Sequence, residues 1–227
     1  MKSKWVLFDY ADTLAETFPD KNFQVISFLT ELGLSRNLQP KDVAKAYWRT
    51  EESITLSSIT DEGLNARRDF YLKFNEKLFS NLDIVDTHIP SKFYAYMSKT
   101  KKTWHLKKDA DFLLKKLYES GYKLGLLSNF DKSLNSILES QGIRHYFAAV
   151  QVSSEIGLEK PDIRFYEKFL EENSVHIPTT IFLGDNLRLD IAPMSKLGVN
   201  CILLDDFGVK ESSHSTITKL SQLISYC

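Results

Sequence analysis

Residues 5–14 read WVLFDYADTL and decide the fold prediction, because a short apolar run stops abruptly at an acid, Asp9. Residues 5–8 are continuously apolar, which is typical of a strand buried on both faces of a sheet. Similar runs recur, separated by stretches with helical spacing of apolar residues. The runs are at 123–127, 148–152, 180–183 and 200–204, and the helical stretches at 109–120, 132–141, 162–173 and 191–197. This alternation predicts an α/β fold with a doubly wound, Rossmann-like parallel sheet.

One long interval breaks the alternation. Between Leu14 and the second core strand the chain is far too long for a structureless loop in a compact domain. Its patterns are helical at 22–32, in a run opened by Pro40, and at 61–79. We therefore expect an α/β core of residues 1–15 and 96–227, with a helical cap inserted at 16–95.

Composition excludes several classes of protein. The 227 residues are 43% hydrophobic and 26% charged, as in an ordinary globular protein. A net charge of −1 without a basic block argues against a nucleic-acid partner, and no apolar stretch approaches the ~20 residues of a membrane span. Cys201 and Cys227 do not indicate a disulfide framework, and the first residues lack a signal-peptide layout. We expect a cytoplasmic monomer or homodimer.

Polar residues follow the predicted strands. Asp9 follows the first, Ser128-Asn129 the second and Asp185 the fourth, while Lys160 comes shortly after the third. Open α/β sheets bind ligands outside the carboxyl ends of their strands, so these side chains should converge on one rim. Taken singly, each has a plainer interpretation as a turn residue, a helix cap or a solvated lysine.

Four stretches together carry a specific resemblance. They are FDYADTL at 8–14, LSNFD at 127–131, SEIGLEKPD at 154–162 and GDNLRLD at 184–190. In this order they resemble the four motifs of the haloacid dehalogenase superfamily, and they are nearest to its capped, phosphatase-like members. The resemblance covers the predicted core, about two-thirds of the chain, and it implies a hydrolase.

The resemblance implies a role for each catalytic position. Asp9 would be the nucleophile that forms an aspartyl-phosphate. Ser128 and Asn129 would hold the phosphoryl oxygens, and Lys160 would offset the charge that develops on them. Thr13 would orient the nucleophile loop. The substrate would be a small phosphorylated molecule.

The resemblance also implies a Mg²⁺ site. Asp9, the backbone carbonyl of Ala11 and Asp185 would be ligands, since Mg²⁺ prefers oxygen donors. Asp190 would support the waters on the metal or orient Lys160.

Residue 11 departs from the family pattern, which places there a second Asp that acts as general acid and base. Ala11 removes that group but keeps the backbone carbonyl. Asp12 is not a displaced acid, because adjacent residues of an extended segment point to opposite sides. The loss should cost ~10²–10⁴ in rate, most for poor leaving groups such as alkoxides.

Four explanations of Ala11 stay open. The residue is native and the substrate or cap makes the acid dispensable, or it is an engineered change. Alternatively, the protein resembles phosphonoacetaldehyde hydrolases, which also carry Ala there but need a Schiff-base lysine in the cap, for which Lys41 and Lys45 are candidates. Lastly, the protein is a silent binding module for a phosphorylated metabolite. Halide removal is a weaker option, because true dehalogenases lack the full acidic fourth motif.

Within the cap, we expect some residues to contact the non-reacting end of the substrate. Arg49 is the first choice, although a solvated face is the plainer interpretation of such residues. The wider set is Trp48, Arg49, Arg67, Arg68 and Tyr71.

Overall fold

The computed structural model describes residues 4–35, 37–54 and 64–227, with the side chains of 64–67 outside that description. The chain divides into two compact units. One comprises Met1–Thr17 with Trp104–Cys227, and the other comprises Phe18–Thr103.

The strands of the described ranges form two sheets. They are β1 (Trp5–Phe8), β2 (Ala15–Phe18), β3 (Thr103–Leu106), β4 (Lys123–Ser128), β5 (Phe147–Val152), β6 (Thr180–Gly184), β7 (Asn200–Leu204) and β8 (Ser215–Ile217). The larger sheet has the order β5-β4-β1-β6-β7-β8, and every neighbouring pair in it is parallel. The predicted α/β parallel-sheet fold is confirmed. Strands β2 and β3 pair separately as a two-stranded sheet.

The helices follow the same alternation. They are α1 (Lys21–Glu31), α2 (Pro40–Ser53), α3 (Leu64–Ser80), α4 (Ile89–Lys99), α5 (Ala110–Glu119), α6 (Leu134–Ser140), α7 (Ser153–Ile156), α8 (Ile163–Glu172) and α9 (Ala192–Lys196). A π-helical turn, Leu187–Ile191, precedes α9. None of the described helices is long and apolar enough to cross a bilayer.

The central strand β1 is buried on both faces, as its unbroken apolar run predicts. Val6 and Phe8 belong to one hydrophobic cluster, which also takes in residues of α5 and α6. Trp5 and Leu7 belong to a second cluster, which includes residues of α8 and α9. The two-residue period of a strand therefore sends alternate side chains to opposite layers. This double burial fixes the end of β1, and with it Asp9.

The second unit has a core of its own. Phe28 of α1, Phe79 of α3 and Phe93 of α4 pack in one cluster with their neighbours. The expected boundary at residues 95 and 96 falls inside α4, whose Ile89 and Phe93 are buried in this cluster. The unit therefore extends to Thr103.

Candidate active site

Asp9 follows β1 directly and is only 6% exposed. Its backbone N–H donates to the carbonyl of Leu183 in β6 at 3.0 Å, which continues the sheet pairing one residue past the strand. Its carboxylate accepts hydrogen bonds from Thr13 Oγ1 at 2.9 Å and from Lys160 Nζ at 2.7 Å. Both carboxylate oxygens of the candidate nucleophile therefore accept a hydrogen bond, one from Thr13 and one from Lys160.

The loop after Asp9 folds tightly around one carbonyl. The backbone oxygen of Tyr10 accepts from the N–H groups of Thr13, Leu14 and Ala15 at 3.3, 2.9 and 3.0 Å. Asp12 has a φ of 61°, in the left-handed region that Asp tolerates better than most residues. Ala11 precedes it and is half-buried, and only its backbone can offer a polar atom to the site.

Lys160 is almost fully buried, at 3% exposure. Its ammonium donates to Asp9 Oδ1 and to Asp190 Oδ1, each at 2.7 Å. Its main chain is held by Asn129, whose Oδ1 accepts from Lys160 N at 2.8 Å and whose Nδ2 donates to Lys160 O at 3.0 Å. The plainer interpretation of Lys160 as a solvated lysine is therefore wrong. The side-chain amide of Asn129 is used to position Lys160.

The segment after Lys160 turns before the next helix begins. Pro161 lies in this turn, and α8 begins at Ile163. Asp162 is the N-cap, and its Oδ1 accepts from Arg164 N at 2.9 Å. Lys160 and Pro161 lie in a turn that Asp162 N closes by donating to Glu159 O at 2.9 Å, so the lysine precedes the helix cap.

Asp185 and Asp190 complete an acidic cluster with Asp9. One carboxylate oxygen from each lies within 4.8 Å of the others. Asp190 is positioned by Asn186 N, which donates to its Oδ2 at 3.1 Å, and by close packing against Gly184, where a Cβ atom would lie 2.5 Å from Asp190 Cβ. Three converging carboxylates with hard oxygen donors fit a divalent cation such as Mg²⁺.

Burial controls the ionisation of this cluster. Desolvation raises the pKa of Asp9 to about 7, and the positive charge of Lys160 opposes that rise. Desolvation likewise raises the pKa of Asp190. Although burial alone would lower the pKa of Lys160, the charges of Asp190 and Asp9 raise it, so the lysine stays charged. The cluster thus carries an excess of negative potential that a cation would relieve.

Ser128, the last residue of β4, is 1% exposed. Its Oγ is buried and has no hydrogen-bond partner among the described residues. An unsatisfied buried hydroxyl costs ~1–3 kcal/mol, so it is typical of a position that awaits a ligand.

Two further lysines, which were not predicted from the sequence, contact residues of the site. Lys107 Nζ donates to the backbone oxygen of Asp12 and lies 2.5 Å from Asp206 Oδ2. Lys210 Nζ donates to the backbone oxygen of Asp185 and lies 3.5 Å from its Oδ2. The sequence signal for Lys210 is the apolar run at 200–204, because the carboxyl end of that parallel strand lies at the same edge of the sheet as that of β6.

The predicted substrate contacts of the cap lie in the other compact unit. Arg49 is an exposed residue of α2. Arg68 is exposed and Tyr71 is 39% exposed on α3, while the side chain of Arg67 lies outside the described residues. Trp48 is half-buried, with its Nε1 enclosed and unpaired within the described part of the chain. Their contact with a substrate stays a prediction.

Comparison with known proteins agrees with this geometry. The sequence model of the haloacid dehalogenase-like hydrolase family matches residues 6–204. A 102-residue region is 31% identical to the mouse haloacid dehalogenase-like hydrolase domain-containing protein 3 and covers 45% of this chain. It spans only 41% of the length of that relative.

A further match is to an archaeal enzyme. Over 91 residues, 39% of this chain and 40% of the relative, the chain is 32% identical to glyceraldehyde 3-phosphate phosphatase of Methanothermobacter thermautotrophicus. Among solved structures, a putative hydrolase of the same superfamily from Bacillus subtilis, bound to magnesium, superposes with a TM-score of 0.62. That alignment covers 100% of this chain and 99% of the other at 17% identity, so it speaks for the fold alone.

The family match spans β1 through β7 and contains every residue of the acidic cluster. The chain belongs to the haloacid dehalogenase-like hydrolase family.

Proposed function

We propose that the protein is a Mg²⁺-dependent phosphatase of a small phosphorylated metabolite, which works through an aspartyl-phosphate on Asp9. The observation that carries the proposal is the convergence of Asp9, Asp185 and Asp190, two of which share Lys160. The end of the neighbouring strand β4 adds the buried hydroxyl of Ser128, which has no hydrogen-bond partner among the described residues. The partial identity to a glyceraldehyde 3-phosphate phosphatase supports phosphoryl transfer as the reaction class.

The residues of the site would have different roles in this chemistry. Asp9, Ala11 through its carbonyl, Asp185 and Asp190 are the residues that would hold Mg²⁺, either directly or through its waters. When bound, Mg²⁺ would neutralise charge on the transferring phosphoryl group. Ser128 Oγ and the main-chain N–H of Asn129 would donate to phosphoryl oxygens, while Lys160 supplies a fixed positive charge.

The reaction proceeds in two displacements. A carboxylate oxygen of Asp9 attacks phosphorus, and the bond between phosphorus and the leaving oxygen breaks, so that oxygen departs with the electron pair. Water then attacks the phosphorus of the aspartyl-phosphate, which releases inorganic phosphate and restores the carboxylate. With Ala11 in place of the acid, solvent must protonate the leaving oxygen and accept the proton of the attacking water.

Leaving-group chemistry therefore determines which substrates are turned over. The leaving group of an aryl or acyl phosphate departs as a stable anion without a proton. The leaving group of an alkyl phosphate is an alkoxide, which needs a proton to depart. We infer that the first displacement is faster with aryl and acyl phosphates, so that the protein prefers them to alkyl phosphates.

Carbon–phosphorus cleavage is less well supported. A Schiff-base lysine is activated by a desolvated pocket or a neighbouring cation, whereas Lys41 and Lys45 are exposed residues of α2. The competing proposal is a catalytically silent protein that binds a phosphorylated metabolite, since Ala11 keeps the binding groups and removes only the proton transfer.

The test is phosphate release in Mg²⁺ from the parent protein and from Ala11→Asp, with an aryl phosphate and a panel of alkyl phosphates. We expect Ala11→Asp to accelerate alkyl phosphates by ~10²–10⁴, because both displacements gain a proton-transfer group. The aryl phosphate should gain less, because only the hydrolysis of the aspartyl-phosphate gains a base. Asp9→Asn is the inactive control for both proteins. If the parent hydrolyses an alkyl phosphate efficiently and Ala11→Asp adds nothing, the missing-acid account is contradicted. If no substrate gives turnover sensitive to Asp9→Asn, the binding-protein proposal prevails.

A further inference from the structure

The loop after β7 returns to the acidic cluster through one side chain, Lys210. Its Nζ donates to the backbone oxygens of Asp185 and Leu204, the latter at 3.0 Å. The same atom lies 3.5 Å from Asp185 Oδ2, and the two side chains are 14% and 15% exposed. A second ammonium group thus borders the acidic cluster, next to Asp185.

The loop is held so that Lys210 keeps this place. Asp205, 2% exposed at the end of β7, accepts from Lys210 N through its Oδ2 at 2.7 Å. Its backbone oxygen accepts from Gly208 N at 3.1 Å, which closes the intervening turn. The ammonium is therefore located chiefly by two main-chain carbonyls and by the buried start of its own loop.

Asp185 is bound more loosely than the other two acids. Its carboxylate oxygens lie 3.4 Å from Thr13 Oγ1 and 3.5 Å from Lys210 Nζ. Charge-assisted hydrogen bonds are ~2.7–2.9 Å long, as are those from Lys160 to Asp9 and Asp190, at 2.7 Å each. Lys210 attracts the Asp185 carboxylate without engaging it closely, which leaves the carboxylate able to turn towards another cation.

We propose that Lys210 is the counter-ion of Asp185 in the metal-free site and that it competes with the divalent cation for this carboxylate. This inference rests on the proposed Mg²⁺-dependent function. Lys160 balances one of the charges shared by Asp9 and Asp190, and Lys210 balances that of Asp185. A divalent cation on Asp185 is repelled by the ammonium, which lowers metal affinity and keeps the metal exchangeable.

Removing Lys210 has two opposite effects on Mg²⁺ affinity, and the larger effect decides whether the affinity rises or falls. Loss of its donated hydrogen bonds loosens the Asp185 backbone, but that backbone follows β6, which is paired on both sides in the sheet. Loss of its charge removes repulsion between a single and a double positive charge a few ångströms apart in a partly enclosed site, and this interaction is the larger one.

The experiment is calorimetric titration of the full-length, metal-free protein with Mg²⁺. The variants are Lys210→Gln, which removes the charge but keeps a donor, and Lys210→Arg, which keeps the charge. Lys196→Gln, at an exposed position of α9, makes the same change in net charge elsewhere. We expect Lys210→Gln to bind Mg²⁺ about 3- to 30-fold more tightly. Lys210→Arg and Lys196→Gln should stay within about twofold of the parent.

Each other outcome overturns the inference. Equal or weaker binding by Lys210→Gln shows that the lysine is a tether and not a competitor, and equal tightening by Lys196→Gln shows a general charge effect. If the parent binds no Mg²⁺, the proposed function fails as well, whereas binding by the parent with no change in Lys210→Gln overturns this inference alone. Thermal unfolding in chelator checks folding, and Lys210→Met replaces the Gln variant if the latter does not fold.

Discussion

Ala11 and Ser128 show at the residue scale how single side chains decide what the site can do. Ala11 keeps the backbone carbonyl of its position but lacks the carboxylate that the family pattern places there, so the proposed metal ligand is retained and the proposed proton transfer is lost. Ser128 presents the opposite case, a polar atom kept in a buried place where nothing in the described protein satisfies it. Folding alone does not favour such a hydroxyl, because an apolar group would be cheaper to bury.

This contrast predicts how Ser128→Ala behaves. Because the change removes an unsatisfied buried hydroxyl, the free energy of unfolding should stay equal or rise by up to ~1 kcal/mol. The kcat/KM for an aryl phosphate should fall at least about tenfold, as expected when a donor to the transferring group is lost. Chemical denaturation and initial rates measure the two effects. A large loss of stability with unchanged kcat/KM would mean that the hydroxyl has a structural role.

At the scale of the elements, Gly184 at the end of β6 allows Asp190 to pack closely against the backbone. A Cβ atom on Gly184 would lie 2.5 Å from Asp190 Cβ and 2.7 Å from its Oδ2. Gly125 in β4 is crowded in the same way, but by Phe169 and Leu7 in the hydrophobic core. Substitution of Gly184 therefore crowds the candidate metal site, whereas substitution of Gly125 crowds only the hydrophobic core.

Gly184→Ala should displace Asp190 from Lys160 and lower both stability, by ~1–3 kcal/mol, and Mg²⁺ affinity. Gly125→Ala is the matched control, with a similar loss of stability but an unchanged Mg²⁺ affinity. Denaturant unfolding and calorimetry on both variants test this expectation. Equal losses of Mg²⁺ affinity in the two would show that general loosening, and not the position of Asp190, governs the metal site.

The core elements were largely predictable from sequence because their signals are local. Continuous apolar runs predicted β1, β4, β5, β6 and β7, and the carboxylates of Asp9, Asp185 and Asp190, which follow β1 and β6, lie together. Strands β2, β3 and β8 have three or four residues, too few to show a period. The contacts of Lys210 depend on a turn and on the strand order β6-β7, which no local pattern encodes.

At the scale of the whole molecule, the acidic cluster and the predicted substrate contacts belong to different compact units. Asp9, Ser128, Lys160, Asp185 and Asp190 all belong to the unit of residues 1–17 and 104–227. The other unit carries Arg49 and the further predicted contacts for the non-reacting part of the substrate. Its observed extent differs from the expected one because α4 (Ile89–Lys99) and the residues up to Thr103 belong to it. The packing of α4 against α1 and α3 is a long-range contact, which a local sequence pattern does not reveal.

The division also explains why the reaction class is easier to infer than the substrate. The proposed chemistry depends on a few charged groups that lie on one sheet, whereas substrate choice is predicted to depend on surface side chains of the helical unit. The central claim, covalent chemistry at Asp9, can therefore be tested without knowing the natural substrate.

The most direct test is mass spectrometry of the peptide containing Asp9, after incubation with Mg²⁺ and acetyl phosphate and a rapid acid quench. We predict one phosphoryl group on Asp9, absent in Asp9→Asn and in chelator. It should persist longer in the parent than in Ala11→Asp, because Ala11 provides no base for the attacking water. Ligand binding, seen as thermal stabilisation by acetyl phosphate with Mg²⁺, without any label on Asp9 would contradict the account and identify a silent binding protein.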